Sequence, residues 1–76
     1  SSVSYIDTLR TYLDNNMSIT KTTRLLYINR STFLERLTRI KRELNSDLQN
    51  AEERLMLQII LKAMELNQKI QDHDEK

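Results

Sequence analysis

Cysteine, proline and glycine are all absent from this sequence, and so is tryptophan. Without cysteine there are no disulfides and no thiolate metal sites. Without proline and glycine, the chain lacks the two strongest breakers of regular structure and any glycine-rich loop that could cradle a phosphate, which argues for helices joined by short polar turns. Long apolar runs are missing too. Runs such as Ile59-Ile60-Leu61 fall far short of the roughly 20 residues that a membrane span requires, and no signal-peptide pattern opens the chain. A cytoplasmic location is expected, with no membrane partner. No nucleophile, base and orienter set can be assembled, and the lone His73 stands in a charged tail without a second ligand nearby, so neither catalysis nor a metal or other cofactor is expected.

What remains is a short, charged, helix-forming chain. Seventy-six residues, 38% hydrophobic and 30% charged, suffice for one small all-α domain spanning 1–76. So short a chain buries a modest fraction of its surface, and self-association is one way to make up the deficit. Ser1-Ser2 ahead of a clear helix start suggests an excised piece of a longer protein or a remnant of its production. The net charge of +1 conceals an asymmetry: residues 1–44 hold eight Lys/Arg against four Asp/Glu, and residues 45–76 hold four against seven. A polyanion would be met by the first part of the chain.

The stretch SITKTTRLLYINRSTFLERLTRIKREL, residues 18–44, reads as two helices and a tight turn. Thr20 to Leu26 forms a short helix, opened by hydroxyl residues able to cap it. Asn29 can cap the second helix, along which Phe33, Leu37, Ile40 and Leu44 recur as one apolar stripe. Between residues 17 and 42, seven Lys/Arg face a single acidic residue, Glu35. A short helix, a tight turn and a basic capped helix are what a helix-turn-helix needs to place its second helix in the major groove. Asn29, Arg30, Ser31, Thr32 and Glu35 are the candidates for base edges, and Ser18, Thr20, Lys21, Arg36 and Arg39 for the DNA backbone. Arg30 could grip guanine O6 and N7, or contact only phosphate or solvent. Glu35 could accept from cytosine N4, or pair with Arg39 one turn on. Leu34 could touch a thymine methyl, or pack on a neighbouring helix.

Around this stretch, Ser4 can cap a first helix running to about Asn15, with Ile6, Leu9, Tyr12 and Leu13 inward and Asp7, Thr8, Arg10, Thr11 and Asp14 toward water. Asn15-Asn16 can take left-handed conformations in place of glycine. Leu48 is the one apolar residue of a polar linker and is expected to dock on the core. Asn50 can cap the last helix, with Glu53 completing a capping box; that helix should end near Ile70, leaving 71–76 frayed. Its apolar coverage is wide, so it either packs centrally or offers a surface to a second subunit or neighbouring domain. Because a lone recognition helix reads only a few base pairs, a homodimer is expected, with Leu57, Ile60, Leu61 and Met64 crossing the interface and Leu55, Ile59 and Leu66 serving the core.

The run from residue 5 to 66, with LRTYL in its first helix, INRSTFLERLTRI across the turn and NAEERLMLQIILKAMEL at its end, resembles the C-terminal helix-turn-helix domain of the purine catabolism regulator (PucR) and sugar-diacid regulator family. Its central segment is also similar to the DNA-binding end of the factor for inversion stimulation. The resemblance implies a fold of four to five helices and a bacterial, nucleoid-associated transcription regulator that binds double-stranded DNA, with upstream sensory domains answering to a metabolite. It places Asn29, Arg30, Ser31 and Thr32 on the motif that faces DNA. Tyr27 stands where such proteins often have glycine, Leu34 and Glu35 where relatives often carry basic or polar residues, and Ala51 where proline is common. The competing reading is a helical dimerisation or protein-docking module without DNA affinity of its own.

Overall fold

Helix ends are the places where a chain without glycine must improvise, and they set the topology. The computed structural model describes residues 2–74, with side chains from Tyr5 onward, as four helices: α1 (Ser2–Asp14), α2 (Ile19–Leu26), α3 (Arg30–Leu44) and α4 (Ala51–Asp74). After α1, the Asn16 and Met17 N–H groups return to the Leu13 and Tyr12 carbonyls. After α2, those of Tyr27 and Ile28 return to Arg24 and Thr23, and after α3 those of Asn45 and Ser46 return to Arg42 and Lys41. Each is a Schellman closure, in which a left-handed residue lets two N–H groups satisfy orphan carbonyls of the last turn. Asn16, Met17, Tyr27, Asn45 and Leu48 all have positive φ, between 50° and 61°. Two asparagines fill this role cheaply. At the other three positions the left-handed conformation costs on the order of 1–2 kcal/mol each.

The core joins Leu9, Tyr12 and Leu13 of α1 to Phe33, Leu37 and Ile40 of α3, Leu48 of the α3–α4 linker and Leu61 of α4. Phe33 is fully buried, with its ring 5.3 Å from that of Tyr12 and tilted by 54°. All three later helices pack on α1, whereas α4 approaches neither α2 nor α3 among the described residues. Leu48 is the plug at that junction. Its N–H donates to Ser46 Oγ and its carbonyl accepts from Arg54 Nη1, so both backbone groups of this buried left-handed residue are satisfied by side chains.

Several sequence expectations change in detail. α1 begins at Ser2, so Ser4 lies inside its first turn; the Ser4 side chain and the residues Ser1, Glu75 and Lys76 lie outside the described region. Thr8 is fully buried rather than turned to water, because Arg36 of α3 crosses to donate to its hydroxyl at 3.3 Å. Leu44, the last position of the predicted stripe, is exposed, on a groove it shares with Tyr5, Ile6 and Leu9 of α1. Asn50 does cap α4 through the Glu53 N–H at 2.9 Å, but the Glu53 carboxylate accepts from Ser46 Oγ instead of completing a capping box. α4 continues to Asp74 rather than fraying after Ile70.

The division of labour on α4 differs from the expected one at five positions. Leu61, assigned to a dimer interface, is only 6% exposed in the monomer's own core, and Leu57 packs beside it; Leu55, Ile59 and Leu66, assigned to the core, are 59%, 60% and 52% exposed. Ile60 and Met64 are exposed. The reason is phase. α4 contributes one narrow edge to the body, where Gln58 reaches the Leu13 carbonyl and Arg10 lies 3.9 Å from Glu65. A donor hydrogen bond from Lys62 holds the Glu65 carboxyl below the ordinary carboxylate range, aided by the charges of Lys69 and Arg10. Beyond this edge α4 projects: every residue from Leu66 to Asp74 is exposed. The radius of gyration of 13.2 Å accordingly exceeds the roughly 11.4 Å of a compact chain this long.

Leu48→Ala is expected to lower stability by about 2–5 kcal/mol, because it empties a fully enclosed position. Tyr27→Gly is expected to raise stability by about 1 kcal/mol, because the 94% exposed phenol contributes little packing to offset its left-handed backbone. Urea unfolding followed by circular dichroism measures both.

Candidate nucleic-acid interface

α2 and α3 are joined by three residues, Tyr27 to Asn29, and both helices start from a side-chain cap. Ser18 Oγ accepts from the Lys21 N–H at 3.2 Å, and Thr22, wholly buried, ties its hydroxyl to the Ser18 carbonyl at 2.7 Å. Asn29 Oδ1 accepts twice, from the Thr32 N–H at 2.8 Å and from Ser31 Oγ at 2.9 Å. The cap predicted from Asn29 is therefore present. It leaves the amide nitrogen of Asn29 as that side chain's outward donor.

With Phe33, Leu37 and Ile40 turned inward, the outward face of α3 is fixed by helical geometry. Ser31, Glu35, Thr38 and Arg42 recur at steps of four, three and four on the side opposite the core, and with Leu34 they line one shallow groove of about 400 Å³. This ridge brings together two of the predicted base-reading residues, Ser31 and Glu35. Arg30 and Thr32 flank its start on opposite sides, Arg30 exposed and Thr32 half-buried.

Thr38 and Arg42 are the ridge residues that the sequence reading did not assign to the site. The signal for them was available: the same periodicity that picked out the core stripe, moved by half a turn. Arg39 is placed differently from expectation. Its guanidinium lies 4.9 Å over the Tyr5 ring, donates to the Tyr5 hydroxyl and pairs with Glu43 at 4.0 Å, so the anticipated pairing with Glu35 does not form. Like Arg36, it is held on the α1 side of α3. Leu34 is exposed on the groove and is not among the residues packed on the core.

Two hydroxyls on the ridge have their protons committed inside the chain. Ser31 donates to Asn29, and Thr38 donates to the Leu34 carbonyl at 2.9 Å. Outward, both present acceptor lone pairs, as the Glu35 carboxylate does. Lys21, Arg24, Arg30, Lys41 and Arg42 make no ion pair among the described residues, and Arg30 and Arg42 stand at the two ends of this acceptor-rich centre.

Two capped helices, a three-residue turn and an outward ridge on the second helix define a helix-turn-helix domain. The chain belongs to the family of PucR C-terminal helix-turn-helix domains, whose model matches residues 5–63. No curated protein and no solved structure matches it. Membership in a helix-turn-helix family points to DNA as partner and to a role in a regulator. Among the described residues no group of His, Cys, Asp or Glu is placed to hold a metal ion, and no helix is long and apolar enough to cross a membrane.

Asn29→Ala removes the acceptor for two donors at the start of α3 and is expected to cost about 0.5–2 kcal/mol, whereas Asn29→Asp keeps the acceptor and most of the stability. Thermal unfolding of the two variants beside the parent measures the difference.

Proposed function

We propose that this domain binds double-stranded DNA with α3 in the major groove, as the DNA-reading end of a bacterial transcription regulator acting in the cytoplasm at the nucleoid. The carrying observation is the outward ridge Ser31, Glu35, Thr38 and Arg42 on a capped α3, in a segment whose Lys21, Arg24, Arg30, Lys41 and Arg42 make no ion pair among the described residues. Ser31, Glu35 and Thr38 offer acceptors that suit the amino groups of cytosine N4 and adenine N6. Arg30 and Arg42, at the two ends, suit guanine O6 and N7. Asn29 and Thr32 complete the base-facing set at the start of the helix. Ser18, Thr20 and Lys21, at the start of α2, suit phosphates; Arg36 and Arg39 border the face where a phosphate would compete with Thr8, Tyr5 and Glu43.

The role is recognition rather than catalysis. Two copies set about 34 Å apart along the duplex would supply the specificity that one helix lacks, and sensory domains upstream in the parent protein would report a metabolite to this module.

A mobility-shift titration on random duplex tests the reading. Log affinity is expected to fall against log salt with a slope of about −0.9 for each phosphate neutralised, and a domain that fails to bind at low salt would leave only a protein-docking role. Selection from a randomised duplex pool tests the face: Arg30→Ala and Arg42→Ala are each expected to lose about 1–3 kcal/mol at a selected site and to relax preference at one position, whereas Lys21→Ala weakens all sequences alike.

A further inference from the structure

Four of the seven large apolar residues that α4 exposes have an internal symmetry. Leu55, Ile59, Leu66 and Ile70 stand at steps of four, seven and four, all exposed, and at about 100° per residue they fall within one narrow arc of the helix. Reversing the helix about the midpoint between Lys62 and Ala63 exchanges Leu55 with Ile70 and Ile59 with Leu66. The same operation sets Glu52 opposite His73. A seam that maps onto itself under a two-fold rotation is what an isologous contact demands, where the same patch serves both subunits.

We infer that α4 pairs with α4 of a second copy of this chain, antiparallel, about a two-fold axis passing between Lys62 and Ala63. The inference rests on the dimeric DNA-binding reading for its role and on the geometry of α4 for its form. Ala63 at the axis lets the two backbones approach. Lys62, beside it, directs its ammonium to Glu65 at 3.2 Å on the body-facing side and stays out of the seam. Met56 and Ile60 widen the contact on one flank. The partner's His73 then meets Glu52, and the partner's Ile70 meets Leu55. The projecting end of α4 supplies the second argument, because a helical segment exposed on all sides is marginal in water and is stabilised once an apolar face is covered. From Leu55 to Ile70 the seam rises about 22 Å, and two helices in contact over that length bury on the order of 1,000 Å², the low end of specific interfaces.

Because the chain has no cysteine, single substitutions report the geometry without background. Under mild oxidation Ala63→Cys is expected to form a covalent dimer, Leu55→Cys alone is expected to form none, and an equal mixture of Leu55→Cys and Ile70→Cys is expected to give the mixed dimer, since a disulfide needs Cα atoms within about 7 Å. Sedimentation equilibrium of the unmodified chain is expected to show its mass doubling with concentration. The Ile59→Glu, Leu66→Glu variant is expected to stay at monomer mass with its helical circular dichroism kept, both residues being exposed in the monomer. Self-linking of Leu55→Cys would mean a parallel pair and overturn the proposal, as would a parent that stays monomeric at every concentration, which would assign the face to another protein. Should the Glu variant unfold, the cysteine pattern decides alone. All of these measurements are made without DNA, so a monomer that binds duplex overturns only the pairing, and a dimer without duplex affinity overturns only the DNA reading.

Discussion

The contact between Tyr12 and Phe33 is the one on which the rest of this structure depends. Phe33 sits one turn into α3, just after the Asn29 cap, and its burial against α1 fixes the rotation of α3 about its own axis. Once that rotation is set, helical geometry dictates that Ser31, Glu35, Thr38 and Arg42 face outward. The presentation of the proposed recognition face is thus decided from behind, by an aromatic pair on the opposite side of α3. α1 is not a bystander in this arrangement. α2, α3 and α4 all dock on it, so its Leu9, Tyr12 and Leu13 set the mutual placement of elements that otherwise share little.

Polar contacts reinforce the same arrangement. Arg36 binds the buried hydroxyl of Thr8, and Arg39 lies across Tyr5, so two cations that composition alone would count toward a polyanion-binding surface are partly spent on joining α3 to α1. The free cations are those on the outer rim and on α2. Local net charge therefore overstates the charge available to a ligand, and the distinction needs side-chain positions rather than counts.

What could be read from the sequence was local, and what could not was relational. The Asn29 cap, the Asn50 cap and the docking of Leu48 each follow from a residue and its near neighbours, and each is present. The face of α4 was not readable in this way, because Leu55, Leu57, Ile59, Ile60 and Leu61 offer apolar residues in nearly every direction and periodicity alone cannot say which edge meets α1. Burial of Thr8 and diversion of Arg39 from Glu35 to Tyr5 and Glu43 likewise depend on how α1 crosses α3. Thr38 and Arg42 were within reach of helical arithmetic, because they follow Ser31 and Glu35 at the same helical spacing.

The closures built from Asn16, Met17, Tyr27 and Asn45 also bear on the denatured chain. A residue with a Cβ samples fewer backbone conformations when unfolded than glycine does, so ordering it on folding forfeits less entropy. In a domain without a single glycine that saving applies at every turn, and it offsets part of the strain carried by the left-handed Met17, Tyr27 and Leu48. The same side chains narrow the choice of turn geometry, so selection of these turns begins in the ensemble from which the domain folds.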